Sequence, residues 1–115
     1  MNKDKAYLID IADSMRLAVR HMGDATFKAF VADVQTMDAV HRRLEIIGEA
    51  AKRLTAAIRD QHTEVPWQKM AGMRDRLIHG YDRVELDLVY DTVTNIIPPL
   101  IPLVQAMIDS MPDPE

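Results

Sequence analysis

The sequence predicts an all-α fold, an antiparallel bundle of four main helices plus a short corner helix. Three observations predict it. Apolar residues recur at steps of three and four over most of the 115 residues, the spacing that lines one face of an α-helix. No segment alternates convincingly at period two, so no strand is expected. The punctuation between periodic stretches, Gly23-Asp24, Pro66 and Gly80, is that of helix ends rather than hairpins. The length fits a single domain over 1–115, since a chain this size buries one core but hardly two.

The first helix is carried by Leu8, Ile11, Met15, Ala18 and Met22, and Gly23-Asp24 supplies its stop. Thr26 is a candidate N-cap for a short corner helix with Phe27, Phe30 and Val31, expected to pack back on the first helix. The second long helix keeps phase through Val34, Met37, Val40, Leu44, Ile47, Ala51, Leu54 and Ile58, with Asp33 as its candidate N-cap. Gly48 lies in its middle. A mid-helix glycine costs roughly 1 kcal/mol relative to alanine, which a close approach of another helix would offset; the alternative is that the cost is simply tolerated.

Residues 59–65 are polar and read as a loop. Pro66 suits the first position of the next helix, where Trp67, Met70, Arg74, Ile78 and Tyr81 share a face and Gly80 is the expected terminator. Asp82-Arg83-Val84-Glu85 resembles a capping box with aspartate as the cap. The last stripe, Val89, Val93, Ile96, Leu100, Leu103 and Met107, runs through Pro98, Pro99 and Pro102 without losing phase. Proline removes a helical hydrogen bond and bends the axis, so a kink or short break is expected near 95–99.

The absence of cysteine excludes a disulfide scaffold, a zinc ribbon and a thiol nucleophile. The net charge of −4 argues at first against a nucleic-acid partner. The total conceals a division, however. Residues 42–83 hold nine Lys or Arg against six Asp or Glu, a charge of +3, while the rest of the chain is −7 and has no Lys or Arg after Arg83. A local basic groove for phosphate is compatible with that pattern; so is an ordinary solvated surface of mixed sign. The longest apolar run, Ile96 to Val104, contains three prolines and is too short to cross a bilayer. No export signal is visible, so a cytoplasmic protein is expected.

The chemistry-bearing stretch is Met73-Arg74-Asp75-Arg76-Leu77-Ile78-His79-Gly80-Tyr81. An inward arginine needs an acceptor, whether a carboxylate, a backbone carbonyl or a ligand phosphate. His79 lies five residues beyond Arg74, about 140° round a continuous helix, so the two converge only if the helix ends near Ile78. Arginine and histidine without cysteine or a metal cluster suit RNA cleavage through the 2′-hydroxyl. The histidine accepts the 2′-OH proton, and the arginine holds the phosphate. The same histidine can equally be a helix-end cap. His21, His41 and His62 have no partner at metal-ligand spacing and read as surface or cap residues. Glu49 is placed to pair with Arg53 one turn on, an ordinary surface arrangement.

Ile46-Ile47-Gly48-Glu49-Ala50-Ala51-Lys52-Arg53-Leu54, then Val65-Pro66-Trp67, then the block from Met73 to Tyr81, resemble the HepT family, a branch of the HEPN superfamily of small helical proteins. The resemblance covers nearly the whole chain. It implies a HEPN-like fold and a ribonuclease that needs no cofactor, with Arg74 and His79 catalytic and Asp75 supporting as the polar residue after the arginine. It implies a homodimer with two such motifs in one cleft. It also implies a toxin paired with an MntA-like nucleotidyltransferase antitoxin that transfers AMP to Tyr81. A non-catalytic helical dimer that binds a nucleotidyltransferase or a nucleotide remains the alternative, with Arg74 bridging helices and His79 capping. The apolar residues Leu44, Ile46, Ile47 and Leu54 are broader than one stripe needs and also point to a dimer.

Overall fold

The computed structural model describes residues 3–77 and 83–113, the side chains of 83 and 84 excepted. All regular structure in them is helical: α1 (Asp4–Met22), α2 (Phe27–Ala32), α3 (Val34–Arg53), α4 (Ala56–Gln61), α5 (Trp67–Leu77), α6 (Arg83–Asp91), a π-helical stretch (Thr92–Ile96) and α7 (Ile97–Asp109). α1 and α3 form the central pair. α5 packs along α3, and α7 along α1. Leu8, Ile11 and Met15 of α1 meet Val40, Leu44 and Ile47 of α3, with Val89, Val93 and Val104 closing the core, all essentially buried. No helix among the described residues is long and apolar enough to cross a membrane.

The helix starts are made by side chains. The Thr26 hydroxyl accepts from the Ala29 N–H at 3.1 Å, and the Asp33 carboxylate accepts from the Thr36 N–H at 3.2 Å and the Thr36 hydroxyl at 2.8 Å. Both relieve amide donors that a helix leaves orphaned at its first turn. Gly23 ends α1 with a φ of 56°, the left-handed region open to glycine.

Four sequence expectations are corrected. The corner helix α2 packs mainly against α3 and α6 rather than α1, because Tyr90 meets Phe27 edge-on at 5.5 Å and donates its hydroxyl to the Ala25 carbonyl at 2.6 Å. α3 stops at Arg53, and part of the expected loop is the separate helix α4. Leu54 turns extended, at φ −64° and ψ 144°, and Thr55 caps α4 through Ile58 N–H. The buried Asp4 carboxylate accepts from the Thr55 N–H at 3.0 Å and the Thr55 hydroxyl at 2.6 Å, fixing this corner to the start of α1. Leu54 and Ile58 keep helical phase across the corner, which conceals it.

Of the kink or short break expected near 95–99, the break is absent. The backbone stays helical from α6 into α7, with the Ile97 N–H reaching back five residues to the Thr92 carbonyl. Pro98 and Pro99 follow directly on the π-helical stretch, whose wider turn re-routes the hydrogen-bond ladder where their N–H groups are missing, and Pro102 lies inside α7. His41, finally, is buried rather than a surface residue, its Nδ1 2.8 Å from the Met37 carbonyl. A carbonyl can only accept, so Nδ1 carries the proton.

Candidate functional site at the α3–α5 contact

The site is built where α5 crosses α3 at Gly48. A Cβ placed on Gly48 would sit 2.8 Å from the Arg74 Cβ and 3.0 Å from the Met70 carbonyl oxygen, closer than real side chains approach. The close approach expected from this glycine is therefore present, and its partner is the segment of α5 that carries Arg74. Trp67 anchors the start of α5, buried and donating its indole N–H to the His62 carbonyl at 2.9 Å.

With the helices this close, Arg74 meets the carboxylate it needs from α3. Its Nε lies 3.3 Å from Glu49 Oε1. The Glu49–Arg53 pairing expected along α3 is thus replaced by a contact between helices, because the side of α3 next to Gly48 faces α5. Lys52, one turn beyond Glu49, donates to Asp75 Oδ1 at 3.3 Å, and Arg74 Nη1 lies 4.0 Å from the same oxygen. Glu49, Arg74, Asp75 and Lys52 form one chain of alternating charge. Sequence reasoning missed Glu49 and Lys52 as members of this site. The available signal was Gly48: a mid-helix glycine marks the closest approach, and the residues beside it face the partner helix.

His79 and Tyr81 lie outside the described residues, as do Gly80 and the Asp82 end of the expected capping box. What is described are the two ends of their segment. Arg76, near the end of α5, reaches Glu85 of α6 at 3.2 Å. This pair spans the interval that contains His79 and Tyr81. Glu85 is 14% exposed against 53% for Arg76, so the carboxylate is the embedded partner and the guanidinium extends to it from the surface.

The opposite side of α5 borders a cavity of about 320 Å3. Leu44, Ile47, Met73 and Leu100 line its apolar part, and exposed Lys69 and Arg76 stand at its rim. Among the described residues α5 packs closely on α3 alone, so this cleft separates α5 from the π-helical stretch and α7. No group of three or more His, Asp or Glu placed to hold a metal ion occurs among the described residues.

The family model described as ribonuclease HepT-like matches residues 11–107. The chain belongs to the ribonuclease HepT-like family, within the HEPN superfamily. Known relatives agree. The protein named "Probable ribonuclease HepT" of Thermococcus cleftensis is 43% identical over 96 residues, which cover 84% of this chain and 87% of that one. Other relatives are named as putative RNases. One from Methanocaldococcus jannaschii is 39% identical over 94 residues, 82% of this chain and 78% of its own. Another, from Caldanaerobacter subterraneus, is 38% identical over 100 residues, 87% of this chain and 89% of its own. No solved structure matches. The HepT-like match takes in both helices of the Gly48 crossing and the whole Arg74–Tyr81 block.

Proposed function

We propose that this HepT-like protein is a metal-independent endoribonuclease that cleaves RNA through the ribose 2′-hydroxyl. Arg74 and His79 are catalytic, and Asp75 supports them. His79 accepts the 2′-OH proton as O2′ attacks the adjacent phosphorus. Arg74 forks onto the non-bridging oxygens and offsets the charge that grows on them. The O5′ bond breaks, O5′ takes up a proton, and the other product ends in a 2′,3′-cyclic phosphate. The observation that carries this reading is the placement of Arg74. It is held by a carboxylate at a close helix crossing, five residues before His79, in a chain of a ribonuclease family. An RNA with a single 2′-deoxy nucleotide at the scissile position tests the mechanism: it stays intact under conditions that cleave the all-ribose strand. Equal cleavage of both overturns the 2′-hydroxyl route.

In the same reading the protein is a cytoplasmic toxin acting as one domain over 1–115. Its antitoxin is an MntA-like nucleotidyltransferase that transfers AMP to the Tyr81 hydroxyl, placing a bulky anion two residues from His79 where RNA phosphate would otherwise sit. The protein works as a homodimer. Leu54 is buried in the chain's own core, while Leu44 and Ile47, also largely buried, border the apolar cleft beside α5, and that cleft is the surface which supports the dimer.

The Glu49–Arg74 pair favours one further reading, in which Arg74 only bridges α3 and α5. The two side chains are 36% and 38% exposed, and pairs so exposed contribute at most about 1 kcal/mol. Arg74→Ala also keeps the Cβ that packs on Gly48. A bridge that weak gives the protein little reason to place an arginine there, so the phosphate role is the stronger one.

A further inference from the structure

We infer that Glu49 is the positioning residue for Arg74 during RNA cleavage, an assignment that rests on the ribonuclease reading above. A guanidinium has three usable edges, and only the Nη1–Nη2 edge forks symmetrically onto a phosphate. The nearest approach of Glu49 to Arg74 is at Nε, 3.3 Å away, so the carboxylate attracts the group from its side rather than at its terminal edge.

Two neighbours make this orientation specific. Gly48 lets the α5 backbone come so near that the Arg74 Cβ stands where a side chain at position 48 would be, which places the base of the arginine stem directly against α3. Lys52 holds Asp75, whose Oδ1 is 3.3 Å from Lys52 Nζ but 4.0 Å from Arg74 Nη1. The nearest acid on α5 is thereby drawn toward Lys52 and stands 4.0 Å from Arg74 Nη1, beyond hydrogen-bond distance of the terminal edge. One turn of α3, from Gly48 to Lys52, thus bears on the base, the side and the terminal edge of the catalytic arginine.

Charge gives the inference a distinctive signature. Glu49 is an anion beside a site for a polyanion, so its removal favours RNA binding by electrostatics alone. A positioning role predicts a loss in kcat with KM unchanged or lower. Wild type, Arg74→Ala, Glu49→Ala and Glu49→Gln are compared for cleavage of a fluorophore-labelled single-stranded RNA of mixed sequence, together with thermal melting. Glu49→Ala is expected to lower kcat by up to about 100-fold, the cost of misplacing a reacting group by about 1 Å, without raising KM. Its Tm should fall by less than about 5 °C, since an exposed pair adds little stability. Glu49→Gln, which keeps the length and an oxygen of the side chain beside Arg74 but not its charge, should recover part of the lost kcat. If Arg74→Ala is inactive while Glu49→Ala keeps the wild-type kcat, the inference falls and the ribonuclease reading stands. It also falls if Glu49→Ala acts only by raising KM or by lowering Tm well beyond that limit. If wild type and Arg74→Ala cleave equally, or neither cleaves, the reading beneath it falls first.

Discussion

Gly48 is the residue on which local fold and site meet. Replacing it with alanine improves intrinsic helix propensity by about 1 kcal/mol, but the new methyl collides with the Arg74 Cβ and the Met70 carbonyl, and neither is the end of a flexible side chain. Overpacking of this kind costs about 1–3 kcal/mol. Gly48→Ala is therefore expected to lower Tm by several degrees and to reduce RNA cleavage by displacing Arg74, measured by melting and by the cleavage assay. A Tm above that of wild type would show that α3 and α5 separate freely at this point. The glycine's meaning was legible in the sequence as a close approach. Its partner was not, because helical periodicity shows which residues face inward without showing which helix they face. For the same reason Glu49 read as the mate of Arg53 on its own helix.

At the scale of elements, caps and stripes were legible because each depends on a few neighbouring residues. Thr26 and Asp33 cap the helices they were expected to cap. The Asp33 carboxyl is held below its usual range by its hydrogen bond with the Thr36 hydroxyl, and next by the Thr36 N–H. A carboxyl whose pKa is depressed on folding adds stability above its unfolded pKa and loses it as pH falls through the folded value. Asp33→Ala should therefore melt below wild type at neutral pH, and the difference should narrow on acidification below about pH 4. A difference that stays constant into acid would contradict this role for the ionised cap. Features that depend on distant partners were not legible. The corner at Leu54-Thr55 is fixed by Asp4, which lies at the start of α1. The three prolines suggested a kink or break because the π-helical stretch before Pro98 and Pro99 cannot be read from phase alone, and Pro102 is held inside α7 without ending it.

For the whole molecule, the charge division matters more than the total. Arg74, Lys52, Lys69 and Arg76 all lie in the +3 segment, and the structure gathers them on or beside α5, two at the Gly48 crossing and two at the rim of the cleft. Among the described residues α5 packs closely on one side only, and the homodimer proposed above would cover the other. Sedimentation equilibrium at micromolar concentration should give twice the 13.1 kDa chain mass, and a charged residue at Met73 in the cleft should return the protein to monomer. A wild-type protein that is monomeric at that concentration would remove the shared cleft from the account.

The central claim is that Arg74 and His79 together cleave RNA without a metal. Unmodified protein is incubated with labelled single-stranded RNA in excess EDTA, beside the Arg74→Ala and His79→Ala variants. The expected result is cleavage by wild type and loss of cleavage in both variants, each still folded by melting. Cleavage by all three proteins at the same rate, or by none until a divalent ion is added, would contradict it.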